Sequence, residues 1–539
     1  MKKIIIGLAL LGAIAVSSCK SLDVAPPNSL TDVQIRELLA SGDQSKINDV
    51  LSAIGVTPTY FNYYGTYTGY SSYPQNYQFD QEFILNMQGN DALIGTKDAG
   101  LSSGHITYYN LASDVWRLKD QTGPFWNMPV DFYIAANKSL LFITEDVVAQ
   151  NPSLGEERAK ALIVRAWGYL NLIERFAKPY AQDNNAKGLP IYTEYRINSV
   201  AKISSAKEVY ENIIAWLEEA IRLFESPAVN VGYTADTQDI DKGVAQYLLM
   251  RAALEFTDWD KVISVGEKLT AAYPTFIPVA NYGAKTADLD SYVDGTKDLN
   301  AKDNAFLCAA ANPEAILAFT YGGGFNKQLC WSLCNTFAAG EAGSGRSAPR
   351  IDDRLFDKIA ANDVRKDVFT DHEVTYTYIS NAEENITNNV KLPQYSTLKW
   401  AATQALTESK RTEKSYSDDI MIRSSEVYLM LAEAYAQKNN TSATTSTLDK
   451  LLAARATSGT LTCANSMSGM SALDMVKLQW RIEMWMEKGL EWHNNRRWGQ
   501  AVNRAGSKNH YSIENTLSVD EMIIEVPKDE QTTNTNWSK

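Results

Sequence analysis

GEERAKALIVRAWGYLNLIERF, residues 155–176, is the stretch that decides the fold. Leu162, Ala166, Tyr169, Ile173 and Phe176 follow one another by four or three positions, which sets them on one face of a helix opening near Gly155-Glu156. Moving outward, Val209, Ile213, Leu217, Ala220 and Phe224 repeat the spacing, and Ser205 with Glu208 supplies a capping box at the start. Ala245, Leu248, Ala252 and Phe256 form a third stripe, broken near Thr257-Asp258 and resumed by Trp259, Val262, Gly266 and Leu269. This reads as a helical hairpin of tetratricopeptide length, roughly 34 residues. Val427, Leu431 and Ala434 mark another helix, with a partner through Leu451, Leu452 and Ala456 after the polar stretch 438–446. Leu473, Val476, Trp480 and Met484 predict a long final helix. The expected fold is mainly α: a tetratricopeptide-like hairpin scaffold at about 126–272 and 420–500, with large irregular loop regions and few short strands.

Two regions interrupt that scaffold. Residues 57–125 are rich in Tyr, Gly, Ser and Asn, with Tyr60, Tyr63, Tyr64, Tyr67, Tyr70, Tyr73 and Tyr77 close together. Residues 273–419 are polar and punctuated by Gly322-Gly323-Gly324 and Gly343-Ser344-Gly345. Loops of such length inside a domain are usually functional or disordered, and their aromatic content argues against plain disorder.

The N-terminus has its own logic. Lys2 and Lys3 precede an uncharged run from Ile4 to Val16, too short for the roughly 20 apolar residues of a spanning helix and laid out as a removable secretory leader, residues 1–18. Val16-Ser17-Ser18-Cys19 resembles the lipobox of bacterial lipoproteins, which implies cleavage before Cys19 and lipid on its thiol. Residues 19–31 contain Pro26-Pro27 and no helical period, as suits a tether, and one folded domain is expected over 32–539.

A formal charge of −13 over 539 residues disfavours nucleic acid as the main ligand. Beyond Cys19 the cysteines are Cys308, Cys330, Cys334 and Cys463, too few for a disulfide framework. Cys330 and Cys334 have no neighbouring histidine to complete a zinc site, so buried thiols or a single disulfide is the expected state. Asp288, Asp290 and Asp294 with Gly295 resemble a calcium loop, but Tyr292 stands where an oxygen ligand belongs, so a solvated acidic loop is expected. Glu483, Glu487 and Glu491, four apart, are expected on one helix face in surface or partly buried ion pairs with Arg481, Lys488, Arg496 or Arg497. The four scattered histidines, with no HExxH and no GxSxG, support neither metal nor nucleophilic catalysis, and no cofactor motif is present.

The order of blocks along nearly the whole chain resembles the SusD-like (RagB/SusD) family. The blocks run from Phe125-Trp126 through Tyr133 to Asn137, then Gly155-Glu156, Arg158-Ala159 and Arg165-Ala166-Trp167-Gly168-Tyr169, then Glu208-Val209-Tyr210. Asn312-Pro313-Glu314, Arg423, Ser425-Glu426-Val427, Ala432-Glu433-Ala434, Arg481-Ile482-Glu483 and Arg496-Arg497-Trp498-Gly499 follow. Ser425 replaces a common alanine, and Trp492-His493-Asn494-Asn495 replaces the usual run, which puts the local salt bridges in question. The resemblance implies a non-enzymatic outer-membrane lipoprotein, with its hairpins toward a SusC-like TonB-dependent transporter. It would bind oligosaccharide, or else peptide, in its irregular regions and close as a lid.

Sugar rings stack their C–H faces on aromatic planes and offer hydroxyls to short polar side chains. Tyr321 and Trp331, after the Asn312-Pro313-Glu314 block where the family often places ligand aromatics, are therefore candidates. So are Tyr108 and Trp116, before the Trp126 block. Tyr64, Tyr67 and Tyr70 form a second stacking platform or part of a transporter interface. Each of these rings has an alternative use, packing locally to pin a long loop. Two other classes stay open: a surface glycan-degrading enzyme on an α/α scaffold, and a scaffold that binds only protein.

Overall fold

The computed structural model describes residues 30–55, 78–94, 122–195, 200–286, 301–319, 349–381, 386–400, 418–510, 513 and 516–538. In chain order the elements that matter are α1 (Asp32–Ala40), α2 (Gln44–Ile54), α3 (Gln78–Met87), β1 (Ala92–Ile94), α4 (Gly123–Phe142), α5 (Glu145–Gln150) and α6 (Gly155–Phe176). They continue through β2 (Lys187–Pro190), β3 (Ile203–Ser205), α7 (Ala206–Phe224), α8 (Lys242–Glu255), α9 (Trp259–Ala272), β4 (Ala315–Phe319), β5 (Pro349–Ile351) and α10 (Val364–Asp367). The remainder are β6 (Val374–Asn381), β7 (Ile386–Leu392), β8 (Asp419–Arg423), α11 (Ser424–Gln437), α12 (Thr441–Arg455), α13 (Ala472–Glu483) and α14 (Leu490–Trp498). The fold is mainly helical, and among the described residues its strands pair two by two, all antiparallel.

The helices begin where the sequence supplies acceptors for their free N–H groups. Ser205 accepts from the Glu208 amide while the Glu208 carboxylate takes the Ser205 N–H at 2.8 Å, so the capping box forms as expected. Asp258 caps α9, and Asn440 caps α12. The two hairpins, α8–α9 and α11–α12, turn alike: Thr257 in one (φ 61°) and Asn439 in the other (φ 59°) take the left-handed conformation between helices. Because α12 opens at Thr441, the polar stretch expected to connect these helices is mostly inside α12, and only 438–440 connect. Gly266 lets α9 close on its neighbours, since a Cβ there would lie 2.5 Å from the Met250 methyl and 3.2 Å from Leu431 Cδ1.

One apolar core runs from α4 and α6 through both hairpins to α13 and α14. A smaller cluster, Leu39, Ile47 and Ile54 against Phe142, Ile143, Val147 and Leu154, fixes α1 and α2 to the α4–α5 corner.

Two expectations change. The final helix is not continuous: α13 stops at Glu483, and the chain turns through Met486 (φ 60°), Lys488 (φ 52°) and Gly489 (φ 66°) before α14. Apolar spacing carried through Met484, so only Gly489 marked the break. The stretch 273–419 is also less loop-like than its composition: Ile277, Tyr282, Phe306, Leu317, Ile351 and Leu355 all belong to the main core.

Candidate functional site

Every aromatic candidate falls outside the described residues: Tyr64, Tyr67, Tyr70, Tyr108, Trp116, Tyr321 and Trp331. So do Cys19, Cys330, Cys334 and the calcium-like run at Asp288. What the structure does describe is the frame from which those segments leave and to which they return. Ile94, the last residue before 95–121, pairs with Pro349, the first after 320–348. Phe319, the last before 320–348, pairs with Asp419 of β8, beside the end of 401–417. Thr397 donates its N–H to the Pro349 carbonyl at 2.8 Å, drawing the start of 401–417 toward the same place. Three segments from distant parts of the chain, two of them carrying the four leading candidates, thus share adjoining roots.

Beneath those roots lies a buried ionic network. Glu314 stands just before β4, Arg423 ends β8, Arg455 ends α12, Glu483 ends α13, and all four are essentially inaccessible. Arg423 Nη1 donates to Glu483 Oε1 at 2.6 Å and to Glu314 Oε2 at 3.0 Å, while its Nε reaches Glu487 Oε2 at 2.8 Å. Arg455 Nη2 donates to Glu314 Oε1 at 2.6 Å and Glu483 Oε1 at 2.8 Å. Arg365 of α10 joins Asp363 Oδ2 (2.6 Å) to Glu483 Oε2 (3.2 Å), and Lys399, beside Trp400, joins Glu487 (2.5 Å) to the Trp485 carbonyl (3.1 Å). Four carboxylates face four cations, so the cluster is neutral as a whole, which is the condition for burying so much charge.

Ser425, the residue that departs from the family's usual alanine, bonds the Glu314 carboxylate and accepts from Arg455 Nη2 at 3.0 Å. Aromatic faces complete the seat: the Arg455 guanidinium lies 4.7 Å from the Tyr282 ring centre, and Lys399 Nζ lies 4.5 Å from that of Phe306.

The electrostatics follow from this packing. Burial by itself raises the Glu483 pKa, and Arg455 and Arg423 overcome it, holding the carboxyl well below its ordinary range. Glu487 is lowered in the same way, against burial, by Arg423 and Lys399. Burial pushes Lys399 down to about 8 despite Glu487. Glu483 and Glu487 are therefore held as ion-pair partners, and the network ties separate parts of the chain to one another. The expected geometry of the three glutamates is corrected here. Glu483 ends α13, Glu487 sits in the turn, and Glu491 opens α14 accepting the Asn90 and Asp91 amides, with Arg423, Arg455 and Arg365 as partners of the first two.

A small polar cleft is lined by Trp167, Glu174, Tyr247, Arg251, Lys488 and His493. Its charges are mutually committed: Arg251 grips both Glu174 oxygens at 2.8 Å, and Tyr247 Oη donates to Glu426 at 2.7 Å. Burial and the nearby Arg251 and Arg175 keep His493 neutral. The departures at Trp492–Asn495 leave ion pairing intact close by, since Arg497 bonds Glu433 and Glu255, each at 2.8 Å. Among the described residues no group of His, Cys, Asp and Glu is placed to hold a metal ion, and no helix is long and apolar enough to cross a membrane.

Sequence reading named Glu314, Arg423 and Glu483 in separate blocks but missed that they meet. The signal available was unpaired charge inside otherwise apolar stretches, and spacing alone gives no partner.

A tetratricopeptide-like helical scaffold whose insertions spring from a buried ionic seat is the class this fold defines. The chain belongs to the SusD-like family. A model described as the SusD family matches residues 281–538, and one described as "Starch-binding associating with outer membrane" matches 21–234. Among solved structures, a SusD-like carbohydrate binding protein from Bacteroides vulgatus is 19% identical, with a TM-score of 0.61 over 89% of this chain and 95% of that one. A SusD superfamily protein from Bacteroides thetaiotaomicron is 17% identical, with a TM-score of 0.60 over 94% and 99%. A laminarin-binding SusD-like protein is 18% identical, with a TM-score of 0.50 over 78% and 86%. At these identities the likeness is one of fold. No curated protein matches the chain.

Proposed function

We propose that this protein is a lipoprotein, cleaved after residue 18 and anchored through Cys19 at the outer-membrane surface, that binds oligosaccharide and passes it to a TonB-dependent transporter as a lid. It does so without cleaving it. The observation that carries the reading is the common root. The segment bearing Tyr108 and Trp116 and the one bearing Tyr321 and Trp331 are rooted side by side at the Ile94–Pro349 pair. Aromatic rings stack on sugar faces, so segments that carry them from neighbouring roots suit a glycan site. The family's description and the laminarin-binding neighbour both favour a glycan.

Isothermal titration with maltooligosaccharides and laminarin oligosaccharides tests the site. Replacing Tyr321 and Trp331 together by Ala is expected to lower affinity at least tenfold while the thermal unfolding midpoint stays put. Unchanged affinity in that double variant overturns the site, and release of shorter sugars by the wild type overturns the non-enzymatic reading.

A further inference from the structure

Arg175 near the end of α6 and His493 of α14 are only 1% and 5% exposed, yet each keeps one polar atom unanswered. Arg175 Nε and His493 Nδ1 meet no hydrogen-bond partner among the described residues. Arg175 is otherwise engaged: Nη1 donates to Gln81 Oε1 at 2.7 Å, and the guanidinium carbon lies 5.9 Å from the Phe125 ring centre. A buried polar atom without a partner forfeits its hydration and gains nothing in exchange, so such an atom calls for an explanation.

Both side chains line the same place, the small polar cleft already described, whose other walls come from α3, α8, β8 and Lys488. Size, charge and hydrogen-bonding chemistry together define what suits it. The volume open to a water-sized sphere is about 30 Å³, room for one or two water molecules and far short of a sugar ring. Of the charged groups lining it, Arg175, Arg251 and Lys488 face Glu82 and Glu174. Arg251 is committed to both Glu174 oxygens, and Lys488 to Glu426 behind the wall. The cations are thus matched by carboxylates, and a neutral molecule fits better than an ion.

The two unanswered atoms narrow the choice further. An arginine Nε–H can only donate. The His493 imidazole, kept neutral by burial and by Arg251 and Arg175 nearby, carries one N–H and one lone pair, so its Nδ1 either donates or accepts according to tautomer. A partner for both must accept from one and be able to do either for the other, at the size of a single heavy atom. Water has those properties.

We propose that this cleft is a site for ordered water, in which Arg175 Nε donates to one molecule and His493 Nδ1 bonds the same molecule or one beside it. The water joins α6 to α14 next to the 486–489 turn, whose Lys488 lines the cleft. Crystals of the full-length protein, at a resolution that shows ordered water and with a second set soaked in sodium bromide, test the assignment. Expected are density peaks of water size within about 3.2 Å of Arg175 Nε and of His493 Nδ1, and no anomalous bromine signal in the cleft. In His493→Phe, whose ring fills similar space without a nitrogen, the peak beside position 493 should be lost. A cleft without such peaks, bromide within it, or either atom bonded directly to another side chain overturns the proposal. A peak unchanged in His493→Phe overturns His493 as its holder.

Discussion

The hairpins at 242–272 and 424–455 and the stretches at 273–319 and 349–400 are both packed against the same core, yet they hold themselves there differently. In the hairpins, Leu248, Ala252, Leu269, Leu431 and Leu451 repeat at helical spacing, and each buried face is built from residues close in the chain. In the irregular stretches few apolar residues recur, and position is set by Glu314, Asp363, Arg365 and Lys399, which find partners at Arg423, Arg455, Glu483 and Glu487. Apolar packing is tolerant and additive. Buried charge is all-or-nothing, because one missing partner leaves the others desolvated and unanswered.

That difference can be broken most sharply at Glu483. Glu483→Ala strands Arg423 and Arg455 and is expected to cost about 3–5 kcal/mol in urea unfolding, with aromatic near-ultraviolet dichroism from the irregular half lost first. A loss under 1 kcal/mol would show that the network is dispensable. Leu269→Ala in α9 is the matching change in a hairpin, with an expected loss of about 2–4 kcal/mol from the cavity it leaves and no preferential loosening of the irregular half.

The mildest way to sharpen the contrast is pH. Glu483 and Glu487 titrate below their ordinary value when folded, so their contribution is complete above about pH 4.5 and disappears as pH falls through the lowered folded values. Below about pH 4.5 the unfolding midpoint should therefore fall, and Glu483→Gln should fall less steeply there.

The same contrast explains what could be read beforehand. Helices α6, α7, α8 and α9 were legible because each stripe, such as Leu162 to Phe176, lies within a few turns of chain. The break after Glu483 was not, since the turn at 486–489 answers to Arg423 and Lys399, some 60 to 90 residues upstream. Glu314 reaches Arg455 across 141 positions, a distance no local pattern spans. Of the proposed site, the aromatic side chains were suggested by composition and resemblance, whereas the junctions at which their segments are rooted, Ile94 with Pro349 and Phe319 with Asp419, follow from pairing between strands of three and five residues.

Those short junctions bear on how such proteins diversify. A flexible segment can be lengthened cheaply, since doubling it costs only about 0.6 kcal/mol of closure entropy. Substitution or insertion between residues 94 and 123, or between 319 and 349, leaves every partner of Arg423 and Arg455 where it was. The frame and the segments rooted in it are thus free to change at different rates, and structures at 17% to 19% identity keep this one architecture.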